Sequence, residues 1–138
     1  MPIYVAELDF ATQGDGDAID FTADLRRLAA ESDVTEGQAT AFVRGSTAAI
    51  TTMEHEPGGV RDLGTMLERL IPRQGDYEHN RLNHDTNSHA HQRASLIGPS
   101  LTVPLIEGRL ALGTWQQIVL LDFDDRPRQR TVVVQILS

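Results

Sequence analysis

Two apolar runs near the end of the chain do not alternate with polar residues. They are Ile118–Leu121 and Val132–Val134. A strand with one face in water alternates apolar and polar residues, so an unbroken apolar run predicts a strand that is covered on both faces. Each of these strands therefore needs core on one side and a second layer, either another sheet or another subunit, on the other.

Other segments have the alternation or β-branched composition that is typical of strands. Between the two apolar runs, Asp124–Pro127 indicates a solvated turn, and Gln13–Asp17 indicates another turn after the first strand. Further strands are predicted at Ile3–Phe10, Ala39–Arg44, Ala48–Glu54, and in a hairpin from Leu101 to Leu112 that turns at Glu107–Gly108.

Two segments have helical spacing of their apolar residues. A short amphipathic helix is predicted from Phe21 to near Asp33, and a clearer one runs from Pro57 to a stop at Pro72, with Met66 expected in the core. Helices and strands do not alternate as they do in βαβ folds. We therefore expect one α+β domain over residues 1–138.

Composition limits the partners and the location of the protein. The formal net charge of −8 argues against a general nucleic-acid binder, although a few arginines can still form a locally positive pocket for a small anion. No apolar run approaches the ~20 residues that span a bilayer. The amino terminus lacks the pattern of a signal peptide. We expect a cytoplasmic protein without a membrane partner.

Histidines are concentrated in Tyr77–Gly98, which holds four of the chain's five: His79, His84, His89 and His91. There are no cysteines, so any metal must be held by nitrogen and oxygen donors, and neutral imidazole is the commonest nitrogen donor. In an extended segment His89 and His91 leave the same face, whereas on a helix they diverge. With His79 folding back, three imidazoles predict a catalytic zinc site. The alternative is a solvated loop that binds nothing.

Two further segments contain candidate substrate-binding residues. Ser46 and Thr47 lie in a small polar link that can hydrogen-bond a phosphate, although a plain tight turn explains the same composition. Trp115, the chain's only tryptophan, and Gln116 precede a buried strand and can offer an aromatic plane and an amide at a pocket mouth. The alternative is a core tryptophan.

Five stretches occur in a characteristic order along the chain: Thr47–Thr51, Tyr77–Asn80, Ala90–Gly98, Gly98–Pro104 and Gly108–Gln116. In this order they resemble the YjbQ-like family, which includes secondary thiamine-phosphate synthases. The resemblance covers nearly the whole chain. It implies two packed, mostly antiparallel sheets with two or three short helices, assembled as a homotrimer with sites near subunit boundaries.

The resemblance also bears on the metal ligands. Many family members carry a histidine at the position of Gly45, together with histidines that match His79 and His91. Our hypothesis is that His89 takes over the ligand position missing at Gly45, so that the ligands are His79, His89 and His91, with His84 as the alternative third ligand. We expect a divalent metal, with zinc as the first choice and magnesium as the alternative.

The resemblance implies an enzyme that joins hydroxymethylpyrimidine diphosphate to a thiazole phosphate. A histidine-bound ion suits a zinc-activated water better than the stabilisation of a departing diphosphate, so a zinc hydrolase of a small phosphorylated or heterocyclic metabolite is the second hypothesis. A trimeric metabolite- or metal-binding protein without catalysis is the third. In the enzymatic hypotheses Glu54 acts as general base, Arg93 or Arg109 clamps an anion, and Trp115 stacks on the substrate.

Overall fold

The computed structural model describes residues 3–138. Alternating strands and short helices build two sheets and a helical layer. The elements are β1 (Tyr4–Thr12), β2 (Asp17–Asp20), α1 (Thr22–Glu31), β3 (Gly37–Val43), β4 (Ala48–Met53), α2 (Pro57–Leu70), α3 (Glu78–Asn83), α4 (Ser88–Ile97), β5 (Ser100–Ile106), β6 (Arg109–Leu110), β7 (Gln117–Asp122) and β8 (Arg128–Leu137).

The larger sheet has the strand order β1-β8-β3-β5-β6, and its paired strands are antiparallel. Along β8, Val132, Val134 and Ile136 are buried, while the alternate positions are partly or largely exposed. One face of this sheet therefore forms core and the other is open in the single chain. Val133 lies on the open face, so the prediction that Val132–Val134 is covered on both faces now depends on a second subunit and stays a prediction.

The smaller sheet has the order β2-β7-β4 and is covered on both faces. Its central strand buries Ile118 and Leu120 against the larger sheet, and Val119 and Leu121 against residues of α2 and α4. The prediction from the unbroken run Ile118–Leu121 is therefore confirmed. Helix α1 contributes Phe21 and Leu25 to the core between the sheets, and Asp20 Oδ1 accepts hydrogen bonds from the backbone N–H and hydroxyl of Thr22 at the start of the helix.

The α+β class and the two antiparallel sheets are confirmed. There are four helices within residues 3–138, rather than two or three, because most of the histidine-rich segment is helical. Asp124 does not lie in a solvated turn; it is buried, since its carboxylate pairs with Arg128. Met66 is nearly half exposed, because α2 fully buries only Leu67. Within the described part of the chain, no helix is long and apolar enough to cross a membrane.

Candidate functional site

Two short helices and the turn between them make up the histidine-rich segment. Helix α3 ends at His84, which adopts a left-handed conformation with φ 51° and ψ 49°. Asn80 Oδ1 accepts a hydrogen bond from the backbone N–H of Ser88 at 3.0 Å, at the start of α4. This bond satisfies one of the amide donors that a helix leaves free at its first turn. The asparagines of this segment thus hold the two helices together.

His79 of α3 and His91 of α4 are in contact. Their ring centroids are 4.7 Å apart, with an angle of 60° between the ring planes. The Nε2–H of His79 donates to Asn87 Oδ1 at 3.1 Å, and Asn83 Nδ2 lies 3.5 Å from Nδ1 of the same ring, so a ligand at Nδ1 would displace this long contact. Both rings belong to partly exposed residues. The pair is therefore accessible to a ligand from solvent.

The geometry of this pair fits two ligands of one metal ion. Two imidazoles bound to a tetrahedral zinc at ~2.0–2.1 Å have centroids about 5 Å apart, close to the observed separation. Asn87 can act as the outer hydrogen-bond partner that orients a ligating imidazole. Among residues 3–138, however, no three His, Cys, Asp or Glu side chains are grouped to hold an ion. The single chain supplies two imidazoles and no third ligand.

His89 is not placed with the other two histidines. The three-histidine hypothesis depended on an extended segment, but residues 88–97 form α4, where side chains two positions apart point about 200° away from each other. His89 is 2% exposed and borders a cavity beside α2, together with Glu68, Arg73 and Arg93. Burial, followed by the charges of Arg93 and Arg73, lowers the pKa of His89. His84, the alternative third ligand, is exposed at the end of α3.

The small polar link before β4 is held by a buried ion pair. Thr47 is buried, and its hydroxyl donates to Asp124 Oδ2 at 3.1 Å and accepts from Arg130 Nη2 at 2.6 Å. Gly45 has φ 124°, and a Cβ built on it would lie 2.5 Å from Arg130 Nη1. The guanidinium therefore fills the space in which a side chain at position 45 would begin. Ser46 is exposed, while the hydroxyl of Thr47 is already engaged.

Asp122 and Arg130 form the centre of that ion pair. Arg130 Nε donates to Asp122 Oδ2 at 2.7 Å and Arg130 Nη2 to Asp122 Oδ1 at 2.9 Å, and Thr12 donates to the same carboxylate. Burial acts to raise the pKa of Asp122, but these hydrogen bonds outweigh it and the pKa lies below its ordinary value. The sequence analysis missed this pair. The pattern that could have predicted it is the spacing along β8. Arg130 is two residues before Val132 and four before Val134, so its side chain lies on the same inward face.

The proposed catalytic side chains lie in different surroundings. Arg93 is buried, and its Nε and Nη2 donate to the carbonyl of Ile71, with Nη2 also 2.7 Å from Glu68. Glu54 and Arg109 are exposed, the first just after β4 and the second on β6. Within residues 3–138, no hydrogen bond or ion pair connects these three side chains with His79 or His91. The single chain therefore does not place the predicted base, Glu54, or the predicted anion-binding residues, Arg93 and Arg109, in contact with the histidine pair.

Trp115 is not a core residue, because 72% of it is exposed. Its neighbour Gln116 donates from Nε2 to Thr52 Oγ1 at 3.2 Å and accepts the backbone N–H of Gly113 at 3.0 Å. Gln116 borders a cleft of about 340 Å³ between β4 and β5, whose polar lining includes Thr51 and Ser100. The two residues thus lie at the surface, with Gln116 held at the edge of a polar cleft.

Comparison with known proteins gives a consistent result. The model of the family described as UPF0047 protein YjbQ-like matches residues 6–138. A UPF0047 protein of Archaeoglobus fulgidus is 38% identical over 131 residues, covering 95% of this chain and 99% of that protein. A UPF0047 protein of Methanothermobacter thermautotrophicus is 37% identical over 136 residues, covering 99% of this chain and 93% of its own length.

Solved structures agree with the sequence matches. A YbjQ-like protein of unknown function from Sulfolobus solfataricus P2 superimposes with a TM-score of 0.94 at 31% identity, covering 99% of this chain and 98% of that one. A conserved protein of the YjbQ/UPF0047 family from Clostridium acetobutylicum gives a TM-score of 0.87 at 38% identity, covering 96% of this chain and 99% of that one.

Proposed function

The chain belongs to the YjbQ-like UPF0047 family, and from this premise we propose that it is a metal-binding enzyme acting on a small phosphorylated metabolite. The observation that supports the proposal is the contact of the His79 and His91 rings at 4.7 Å between centroids. Two neutral imidazoles at this spacing, on partly exposed residues, suit a divalent ion that binds nitrogen donors. Zinc is the first choice and magnesium, which prefers oxygen, is the alternative.

We infer that a second copy of the chain supplies the missing ligand in a homotrimer. The single chain groups no third His, Asp or Glu with the pair among residues 3–138. Its larger sheet also has an open face that carries Val5 and Phe42. A contact between subunits there would bury apolar surface and form sites at subunit boundaries. Sites of this kind agree with the expectation from the resemblance.

The residues of this chain have distinct roles in the proposal. His79 and His91 hold the ion, and Asn87 fixes the ring of His79 through the bond to Nε2. The bound metal would lower the pKa of a water molecule or neutralise charge on a phosphate. Trp115 and Gln116 contact the organic part of the substrate, and Ser46 and Arg109 are the exposed groups available to an anion. Glu54, the candidate base, does not meet the pair within one chain, so in this proposal a second copy brings it to the ion.

The first reaction to test is that of a thiamine-phosphate synthase, as implied by the resemblance. The second is hydrolysis of a small phosphorylated or heterocyclic metabolite, and one observation favours it. The paired side chains are imidazoles, which suit a zinc-activated water, whereas diphosphate departure is served best by oxygen-bound magnesium. A protein that binds metal or metabolite without turnover is the remaining outcome.

The test is metal content per chain, measured by elemental analysis of untagged protein and of three single variants. Near-stoichiometric zinc is expected in the wild type and in His89→Ala, with strong loss in His79→Ala and His91→Ala. The same four proteins are then assayed for synthase and phosphatase turnover with and without a chelator. If zinc is also lost in His89→Ala, the result would support the hypothesis that His79, His89 and His91 are all ligands. No transition metal in any protein, with turnover unaffected by the chelator, would refute the proposal.

A further inference from the structure

A cavity of about 320 Å³ lies between α2, α4, β7 and the turn before β2. Its inner wall consists of buried residues, whereas its rim is exposed, so it is a pocket open on one side. Small-molecule sites in proteins begin at about this volume. The inner wall contains Leu67, His89, Arg93, Leu121 and Phe123, and the exposed rim contains Asp15, Gly64, Glu68 and Arg73.

The charges around this cavity are balanced. Arg93 pairs with Glu68 at 2.7 Å and also donates to the carbonyl of Ile71, and Arg73 pairs with Asp15. Two cations and two carboxylates therefore face the same space, with Nε and Nη2 of Arg93 already engaged. A free anion gains little from such a wall, because each guanidinium already has its counterion. The cavity is better matched to an uncharged molecule.

His89 supplies a hydrogen-bonding group that the protein itself does not use. The side chain is 2% exposed. Its Nδ1 is buried without a hydrogen-bond partner, and Nε2, which keeps some accessible surface, has no partner within the described residues either. Buried polar atoms are nearly always paired, so an unpaired one calls for an explanation. The surrounding wall of Leu67, Leu121 and Phe123 is apolar. A flat molecule with polar ring atoms would satisfy both kinds of surface.

We propose that this cavity is a second binding site, separate from the His79–His91 pair, for a small uncharged heterocycle. The ligand packs against Leu67, Leu121 and Phe123 and forms a hydrogen bond with the imidazole of His89. The site does not depend on the proposed enzymatic function. It assigns to His89 a role in recognising an organic ligand instead of a metal ion.

Gly64 allows a sharp test of this site. It lies on α2 at the rim, and a Cβ added there would meet nothing within 4 Å. Leucine is also a better helix former than glycine, so Gly64→Leu adds apolar bulk at the rim of the cavity without a helix penalty. Thr65→Leu adds apolar bulk at the next, exposed position of α2, which borders a different surface hollow, and serves as the matched control. His89→Leu removes the ring nitrogens at similar volume.

The experiment titrates 2-aminopyrimidine, which is uncharged at neutral pH, into the full chain and follows the imidazole nitrogens by NMR. Benzene and inorganic phosphate are the comparison probes. Saturable binding of 2-aminopyrimidine with a shift of the His89 signals is expected. Loss of the hydrogen bond in His89→Leu should weaken binding about tenfold. Gly64→Leu should weaken it as well, while Thr65→Leu and His79→Ala should leave it unchanged.

Each contrary result overturns the proposal in a distinct way. Equal binding of benzene, unaffected by His89→Leu, would indicate a plain apolar cavity. Saturable binding of phosphate in competition with 2-aminopyrimidine would indicate an anion site. No binding of any probe at millimolar concentration would mean that the cavity holds only water. Circular dichroism checks that every variant is folded. If Gly64→Leu is not folded, the comparison of ligand binding by His89→Leu and wild type tests the proposal.

Discussion

At the scale of single residues, His89 is buried without a partner for Nδ1. A buried polar atom left unpaired costs about 1–3 kcal/mol, so replacing the ring with an apolar side chain of similar size removes that cost. We expect His89→Leu to raise the free energy of unfolding by about 1 kcal/mol in urea denaturation. Thr65→Leu, at an exposed position of α2, should leave stability nearly unchanged. A clear loss of stability in His89→Leu would show that Nδ1 has a bound water as partner.

The buried pair of Asp122 and Arg130 gives the opposite expectation. Removing one member of a buried ion pair leaves the other charge uncompensated, at a cost of about 3–5 kcal/mol. Asp122→Asn should lower the free energy of unfolding in guanidinium chloride by this amount. Glu7→Gln breaks an exposed pair with Arg44 and should cost no more than about 1 kcal/mol. Equal losses in the two variants would contradict this account.

The same pair predicts a pH dependence. The pKa of Asp122 in the folded protein lies below its ordinary value of 3.8, so the folded state binds a proton less readily than the unfolded state. The resulting stabilisation is complete above pH 3.8 and is lost as the pH falls through the folded-state pKa. Wild-type stability should therefore fall more steeply below that pH than the stability of Asp122→Asn. Parallel curves for the two proteins would exclude the effect.

Gly45 is a position where both backbone and space demand glycine. Its φ of 124° is rarely adopted by other residues, and a Cβ would meet Arg130 Nη1. Gly16 also has a positive φ, of 86°, but open space around its Cβ position. Both alanine variants should be destabilised by about 1–3 kcal/mol from strain. Gly45→Ala should lose more stability than Gly16→Ala, as measured by thermal unfolding. Equal losses of stability in the two variants would mean that Arg130 moves away freely.

At the scale of secondary-structure elements, the turn between α3 and α4 fixes the histidine pair. Asn80→Ala should remove the bond to the Ser88 N–H and cost about 1 kcal/mol, as loss of a helix cap does. Faster hydrogen exchange at the Ser88 amide would show that the hydrogen bond is lost. Weaker zinc binding would show that His79 and His91 are held less firmly. Asn83→Ala is the control for hydrogen exchange only, because Asn83 bonds the carbonyl of His79 within the same helix and also lies 3.5 Å from His79 Nδ1. Unchanged exchange in Asn80→Ala would contradict the role assigned to it.

Elements with strong periodicity were predictable from the sequence. Strand β1, helix α2 and the hairpin through Glu107–Gly108 lie close to where the pattern put them, because their apolar spacing and turn residues are local. Helices α3 and α4 were missed. Asparagine, serine and histidine are poor helix formers, and these helices depend on the tertiary bond between Asn80 and Ser88.

The candidate site was predicted less completely than the fold. The segment that carries the histidines was identified, and two of the three proposed ligands are in contact. Which histidines face each other depends on whether residues 88–91 are helical, and that was not readable from composition. The Asp122–Arg130 pair was missed for a related reason. A charged residue at an inward position of a strand breaks the apolar pattern from which burial is inferred.

At the scale of the whole molecule, the open face of the larger sheet bears on assembly. Val5, Phe42 and Ile106 are about half exposed on this sheet, and Phe42 pairs with Val133 in register. We expect light scattering to give a mass about three times the 15.2 kDa of one chain. Phe42→Glu should reduce it toward one chain, because a charge in an apolar contact is costly. Leu70→Glu, at an exposed position of α2, should not. A monomeric wild type would contradict the trimer.

The positions of β7 and β8 have a consequence for how the protein is made. β8 lies between β1 and β3, and β7 lies between β2 and β4, so in each sheet a strand that joins two others leaves the ribosome after both of them. Before residue 117 has emerged, β3 can pair with β5, but β1, β2 and β4 have no partner strand, and their apolar faces stay exposed. Folding is therefore expected to follow synthesis of both strands, with the nascent chain dependent on chaperones until then.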